Sequence, residues 1–259
     1  MQITIIGAGN IGGAIAQGLF THKTAKDDIR ICLADINEEK LAEATSYCDA
    51  TFTDNTLAVA TADIVIVAVK PWLIDIVLDS INPCIDSRSP IIVSIAAGIT
   101  IDQIQQHLDN TFSIYRLIPN TAISIAESMT LIASQNTTDE QDAQISRIFG
   151  MLGKTLFIPE SLMNAATSLT SCGIAYALRY IRAATEGGIE MGFSATQAKE
   201  MVAQTLIGAA QLLLKNNSHP EVEIDKVTTP GGITIKGLNA MEEAGFTSAV
   251  IKGLKASFT

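Results

Sequence analysis

The sequence predicts a doubly wound α/β domain with a mainly parallel sheet over residues 1–159, followed by an all-α domain over residues 160–259. Three observations carry this reading. The first half alternates short β-branched runs with amphipathic segments, the pattern of a parallel sheet covered by helices on both faces. A glycine-rich turn, Gly7-Ala8-Gly9-Asn10-Ile11-Gly12, joins the first such run to the first helical segment. Beyond Glu160 strand-like runs largely vanish, and long helical patterns rich in small residues take over.

The elements follow in order. Ile3 to Ile6 reads as a strand and Ile11 to Phe20 as a helix. Ile29 to Ala34 is the second strand and Glu38 to Tyr47 the second helix. Ile64 to Val69 and Ile91 to Ile95 have no polar face, which suits strands buried on both sides. Phe112 to Leu117 and Met129 to Ala133 are candidates for further strands. Leu162 to Met191 is one long helical segment, with Gly173 as its candidate kink and Gly192 as its stop. Ser194 with Gln197 forms a capping box for a helix over Ala195 to Lys215, closed by Asn216 and Asn217. Val202 to Leu214 is apolar around much of the helix and must be buried. A domain of about a hundred residues cannot easily bury it alone. Dimerisation through these helices is therefore expected; a self-contained bundle is the alternative.

Composition narrows the function. Hydrophobic residues make up 47% of the 259-residue chain and charged residues 17%, which points to surface buried against a partner subunit. A net charge of −10 gives nucleic acid or an anionic membrane no electrostatic attraction. No apolar run reaches the roughly 18 residues of a membrane span. The start of the chain lacks the positive n-region of a leader, and its glycines suit a strand–turn–helix. Cys32, Cys48, Cys84 and Cys172 form no metal spacing, and His22, His107 and His219 are scattered, so no metal site is expected. Unpaired cysteines favour a reducing cytosol.

The glycine turn has the strand-before, helix-after context of a dinucleotide fingerprint. Gly7 permits the tight turn and Gly9 clears room for a pyrophosphate. Gly12 lets helix and strand pack, and Ala8, Asn10 and Ile11 complete the phosphate loop. This makes the first domain a Rossmann domain. Asp35 ends the second strand, where a carboxylate accepts hydrogen bonds from the ribose hydroxyls of NAD. No arginine follows it, and Glu38 and Glu39 would repel a 2′-phosphate, so NADH is favoured over NADPH. Alternatively, Asp35 caps the following helix. Val69, Lys70 and Pro71 end another strand on the ligand side, although Lys70 could be a plain surface lysine. Ala97, Gly98 and Asn120 follow later strands and are placed to line the nicotinamide end; Asn120 could equally hold its own turn.

A second motif lies at Asp225-Lys226-Val227-Thr228-Thr229-Pro230-Gly231-Gly232-Ile233-Thr234. It reads as a turn emptying into a helix, whose free N–H groups suit a small carboxylate. Helix capping is the plain alternative for both threonines.

From end to end the chain resembles the pyrroline-5-carboxylate reductases. The matching stretches are Ile5 to Gly12, Ala68-Val69-Lys70-Pro71, Ser94 to Gly98, Pro119-Asn120-Thr121, Met129-Thr130, and the segment from Asp225 to Gly245. Thr229 stands where many members have a serine, Ile233 at a first threonine and Thr234 at a second. The resemblance implies reduction of Δ1-pyrroline-5-carboxylate to L-proline by hydride transfer from NAD(P)H, the last step of proline synthesis. It also implies a homodimer interlocked through the helical domain, in some members assembled into larger rings. Thr234 of one subunit would then face a nicotinamide held by the other.

In that reading the substrate carboxylate sits on N–H groups from Gly231, Gly232, Ile233 and Thr234, helped by the Thr229 hydroxyl. Thr234 is the catalytic candidate, as hydrogen-bond partner of the ring nitrogen. The chain departs from the family pattern at Cys172, Ile174 and Ala122. A reductase of a related cyclic imine acid and a non-catalytic nucleotide-binding protein are the other readings. Hydroxyacid reductases of the wider group usually carry a catalytic lysine on the long helix after the nucleotide domain. Between Leu162 and Met191 only Arg179 and Arg182 carry positive charge, which argues against that rival.

Overall fold

The computed structural model describes residues 1–25, 27–85, 89–108 and 111–258. The chain divides into two compact units, Met1–Ser171 and Cys172–Thr259.

The first unit is built on strands β1 (Gln2–Ile6), β2 (Arg30–Ala34), β3 (Ala50–Phe52), β4 (Ile64–Val67), β5 (Ile91–Ser94), β6 (Ile114–Ile118), β7 (Ser128–Gln135) and β8 (Gly153–Phe157). They form one sheet in the order β3-β2-β1-β4-β5-β6-β7-β8. Only the β6–β7 pairing is antiparallel among the described strands. Order therefore runs outward from β1 in one direction and from β4 in the other. That is the reversal at which doubly wound sheets open a crevice beyond their carboxyl ends.

Both sheet faces are covered, as the uninterrupted apolar strands require. On one face Ile3, Ile5, Ile64 and Ile66 pack with Ile15 and Leu19 of α1 (Asn10–His22), Leu41 of α2 (Glu38–Ala44), and Ile145 and Phe149 of α6 (Asp139–Gly150). On the other, Val65, Val67 and Ile92 meet α3 (Asn55–Val59), α4 (Ile74–Ile85), α5 (Ile101–Gln105) and Met163 of α7 (Met163–Thr167). Burial pushes the thiols of Cys32 and Cys48 up, away from nucleophilic chemistry.

The strand over Ile64 to Val69 ends early, at Val67, and that over Ile91 to Ile95 ends at Ser94. One residue beyond each end is still tied to the neighbouring strand, Ala68 N–H to the Ile6 carbonyl at 2.8 Å and Ile95 N–H to the Val67 carbonyl at 3.1 Å.

The second unit holds α8 (Gly173–Glu190), α9 (Ala195–Asn216), α10 (Pro220–Lys226), α11 (Ile233–Glu243) and α12 (Phe246–Ala256). The expected break near Gly173 is a π turn over Ser168–Cys172, directly before α8. The capping box at Ser194 and Gln197 is formed, and Asn217 ends α9 in the left-handed region. Gly188 and Ala198 are the only buried residues among the described ones of this unit. Large apolar side chains such as Leu178, Ile189, Met201, Ile207, Leu212, Leu214, Phe246 and Ile251 stay exposed. A self-contained bundle would bury such a set, so the lone chain is not one. No helix among the described residues is long and apolar enough to cross a membrane.

Candidate active site

The sheet register brings the first group of candidates to one edge. Ile6 pairs with Ala34 and with Val67, Val67 with Ser94, and Ser94 with Arg116. Gly7, Asp35, Val69, Ala97 and Asn120 all follow these strand ends and so border the crevice.

The glycine loop is shaped by contacts that a side chain would destroy. Gly7 has φ +109°, and a Cβ there would lie 2.6 Å from the Ala68 carbonyl oxygen. At Gly12 a Cβ would sit 2.0 Å from the Gly7 carbonyl oxygen and 3.0 Å from Ala68 Cβ, so the helix crosses the strand in contact. Around Gly9 the space is open: no atom outside its own stretch of chain comes within 4 Å of where a Cβ would stand. Gly9 is also the N-cap of α1 and offers no side-chain cap. The first helical bond is made by Gly13 N–H to the Gly9 carbonyl at 2.8 Å. The N–H groups of Asn10, Ile11 and Gly12 therefore point outward unpaired, next to the open space, as a pyrophosphate needs.

Ala8 has a different role. Its N–H donates to Asp35 Oδ2 at 2.7 Å, while Asp35 Oδ1 accepts from Asn37 N–H at 2.9 Å. Asp35 thus pins the glycine loop to the end of β2. It does not cap α2, as the alternative sequence reading had it. Asn37 does, accepting from Lys40 N–H at 3.1 Å. Each Asp35 oxygen keeps a free lone pair for a hydroxyl donor.

Lys70 is exposed and precedes a short 3₁₀ turn that begins at Pro71. Ala97 and Gly98 form an exposed turn after β5. Asn120, only 7% exposed, organises its surroundings. Its Oδ1 accepts from Ala122 N–H at 3.1 Å, and its Nδ2 donates to the Thr170 carbonyl at 3.4 Å. Its N–H donates to Ser128 Oγ at 3.2 Å. The turn-holding alternative for Asn120 is therefore what the geometry displays. Ser128 was invisible in the sequence, because a serine opening a strand carries no signal of a distant partner.

The second group lies in the other unit. α11 starts at Ile233, with Gly232 as N-cap and no side-chain cap, so neither Thr229 nor Thr234 caps it. Both threonines are exposed, and Ile233 is 87% exposed. Gly231 has φ +70°. One sequence expectation is corrected: Gly232 N–H is already bonded to the Thr229 carbonyl at 2.9 Å, closing the turn. Gly232 matters sterically instead, since a Cβ would meet Thr229 Oγ1 at 2.6 Å. The N–H groups of Ile233 and Thr234 remain free at the helix start.

The sheet and its glycine loop define a Rossmann-type dinucleotide-binding protein with an appended helical unit. Residues 160–259 match the family model for pyrroline-5-carboxylate reductase dimerisation, and residues 2–98 match one described as NADP oxidoreductase, coenzyme F420-dependent. The chain belongs to the pyrroline-5-carboxylate reductase family. It is 40% identical to pyrroline-5-carboxylate reductase 2 of Dictyostelium discoideum, over 99% of this chain and 90% of that one. Reductase 1 of the same organism is 42% identical over 98% of this chain, which spans only 48% of that longer relative. A solved pyrroline-5-carboxylate reductase from Coxiella burnetii superposes with a TM-score of 0.91 at 27% identity, covering 99% of this chain and 95% of that one.

Proposed function

We propose that the chain reduces Δ1-pyrroline-5-carboxylate to L-proline, the last step of proline biosynthesis, as a cytosolic homodimer. The observation that carries the reading is the turn Thr229 to Thr234. It sets two exposed hydroxyls and unpaired helix-start N–H groups side by side, in a chain that also has an open dinucleotide cradle. The names of the relatives support it, and the four free cysteines fit a reducing compartment.

In this reading Asn10, Ile11 and Gly12 hold the pyrophosphate of NAD(P)H, Asp35 the ribose, and Val69, Lys70, Pro71, Ala97, Gly98 and Asn120 border the nicotinamide half. When bound, the reduced nicotinamide supplies the hydride that the C=N carbon accepts. The substrate carboxylate rests on the N–H groups of Gly231, Ile233 and Thr234 and on the Thr229 hydroxyl. Protonation of the imine nitrogen makes the carbon electrophilic. A threonine hydroxyl is too weak an acid to be the main proton source, so the imine arrives protonated or water relays the proton. Thr234 holds the ring nitrogen in line, and catalysis is mainly positioning. The helical units join two subunits, so that Thr234 of one serves the nucleotide held by the other; rings of such dimers are the larger assembly.

Asp35 with Glu38 and Glu39 favours NADH, because a 2′-phosphate would meet three carboxylates. The test is nicotinamide oxidation by the purified protein with Δ1-pyrroline-5-carboxylate, with NADH and NADPH in parallel. Turnover supports the reading, and the ratio of rates tests the role of Asp35. Tight cofactor binding without turnover would point to another cyclic imine acid or to a non-catalytic nucleotide-binding protein.

A further inference from the structure

Arg116 is a cation where the sheet has no evident use for one. It sits on β6, 4% exposed, paired with Ser94 of β5 on one side and Ala133 of β7 on the other. Its Nη1 donates to Glu160 Oε1 at 2.9 Å, while its Nε is buried without a partner. The same Glu160 oxygen accepts from Ile101 N–H, the first residue of α5, at 2.8 Å. Replacing a buried ion pair by apolar side chains is often neutral or stabilising, so stability alone gives no reason for this one.

Its connections do give a reason. Arg116 lies just upstream of Pro119 and Asn120. Glu160 lies just upstream of α7 and the π turn. That turn returns to the same loop: Ser171 Oγ donates to the Pro119 carbonyl at 3.3 Å, and the Thr170 carbonyl accepts from Asn120 Nδ2 at 3.4 Å. The chain thus forms a closed circuit from β6 through Pro119–Asn120, Thr170–Ser171 and α7 back to Glu160 and Arg116. Ile101 ties the end of the Ala97–Gly98 turn into the same carboxylate. A π turn inside a helix commonly marks a functional place, and this one meets the crevice loop.

We infer that the Arg116–Glu160 pair is a positioning device for the nicotinamide end of the crevice, fixing the Ala97–Gly98 and Pro119–Thr121 loops relative to each other. This rests on the reductase reading for its kinetic consequence, but not for its structural one. Neither residue touches reacting atoms; both act through Asn120 and the α5 start.

The test is the double variant Arg116→Met/Glu160→Leu, which removes both charges together and leaves none buried alone. The expected result is a Tm lowered only by the loss of the Ile101 N–H bond and a Kd for NADH within about threefold, but a kcat lowered at least about tenfold. Amide hydrogen exchange should rise at Gly98, Ile101, Asn120 and Thr121. Glu160→Gln, which keeps an acceptor for both donors, should lie between wild type and the double variant and serves if the latter aggregates. Wild-type kcat and unchanged exchange in a folded variant would overturn the inference. Raised exchange in the variant of a protein that never turns over pyrroline carboxylate would retire the reductase reading and uphold the brace.

Discussion

Gly12 and Thr234 stand at opposite ends of the chain and test the two halves of the proposed reaction separately. A methyl at Gly12 meets a backbone carbonyl at 2.0 Å, and no flexible side chain is available to yield. Gly12→Ala should therefore destabilise the first unit by about 1–3 kcal/mol and weaken cofactor binding, read by Tm and by a nucleotide titration. Thr234 is exposed and takes no part in capping, so Thr234→Ala should leave Tm unchanged. It should lower kcat/KM more than about tenfold, or about 1.4 kcal/mol of transition-state stabilisation. An unaltered kcat/KM would remove Thr234 from the site. Asp35 shows how far a single residue could be read in advance. Its place at a strand end was legible, because the acidic residue directly follows the largely apolar run from Ile29 to Ala34. Its bond to Ala8 N–H was not, because that contact joins two loops that only the folded sheet brings together.

At the scale of elements, legibility followed locality. The start of α9 was readable because Ser194 and Gln197 satisfy each other's backbone within one turn. The edge strands β3 and β8 were not, since short, half-exposed strands lack the apolar run that marked the centre of the sheet. The join between α9 and α10 lay below notice too, although it is held by one carboxylate. Glu223 accepts from Lys226 Nζ at 2.8 Å, Ser218 Oγ at 2.6 Å and Asn216 Nδ2 at 3.3 Å. The Lys226 ammonium, then the Ser218 hydroxyl, hold its carboxyl down to about 2, from an ordinary 4.5. A depressed carboxylate contributes stability that is full above its unfolded value and lost as pH falls through the folded one. Hydrogen exchange over Pro220–Lys226 should therefore quicken as pH drops from 4.5 toward about 2, after correction for intrinsic rates. Glu223→Gln should lose that pH dependence. A wild-type segment equally protected across the window would show that the clasp contributes nothing.

At the scale of the molecule, the second unit is a set of helices without a core of its own. With Gly188 and Ala198 its only buried residues among those described, the exposed apolar faces of α8, α9 and α12 need another chain to cover them. Sedimentation should give a dimer or a multiple of one, and Leu212→Lys should weaken the association if that face is covered. The shared site proposed for the dimer makes a stricter prediction. Gly9→Asp places a carboxylate in the open space by the phosphate loop without a clash, because nothing lies within 4 Å of a Cβ there. It should fold and fail to bind nucleotide, just as Thr234→Ala folds and turns over slowly. If each site combines the nucleotide loop of one subunit with Thr234 of the other, a mixed dimer of the two variants has one wild-type site and one doubly damaged site. Equal amounts exchanged to equilibrium would then recover roughly a quarter of wild-type activity, because half the dimers are mixed and each has one working site of two. If both parts of a site come from one chain, every site in the mixture carries one lesion. Activity would then stay at the mean of the two parents. Recovery therefore reads out, in solution and without a bound ligand, which subunit supplies which half.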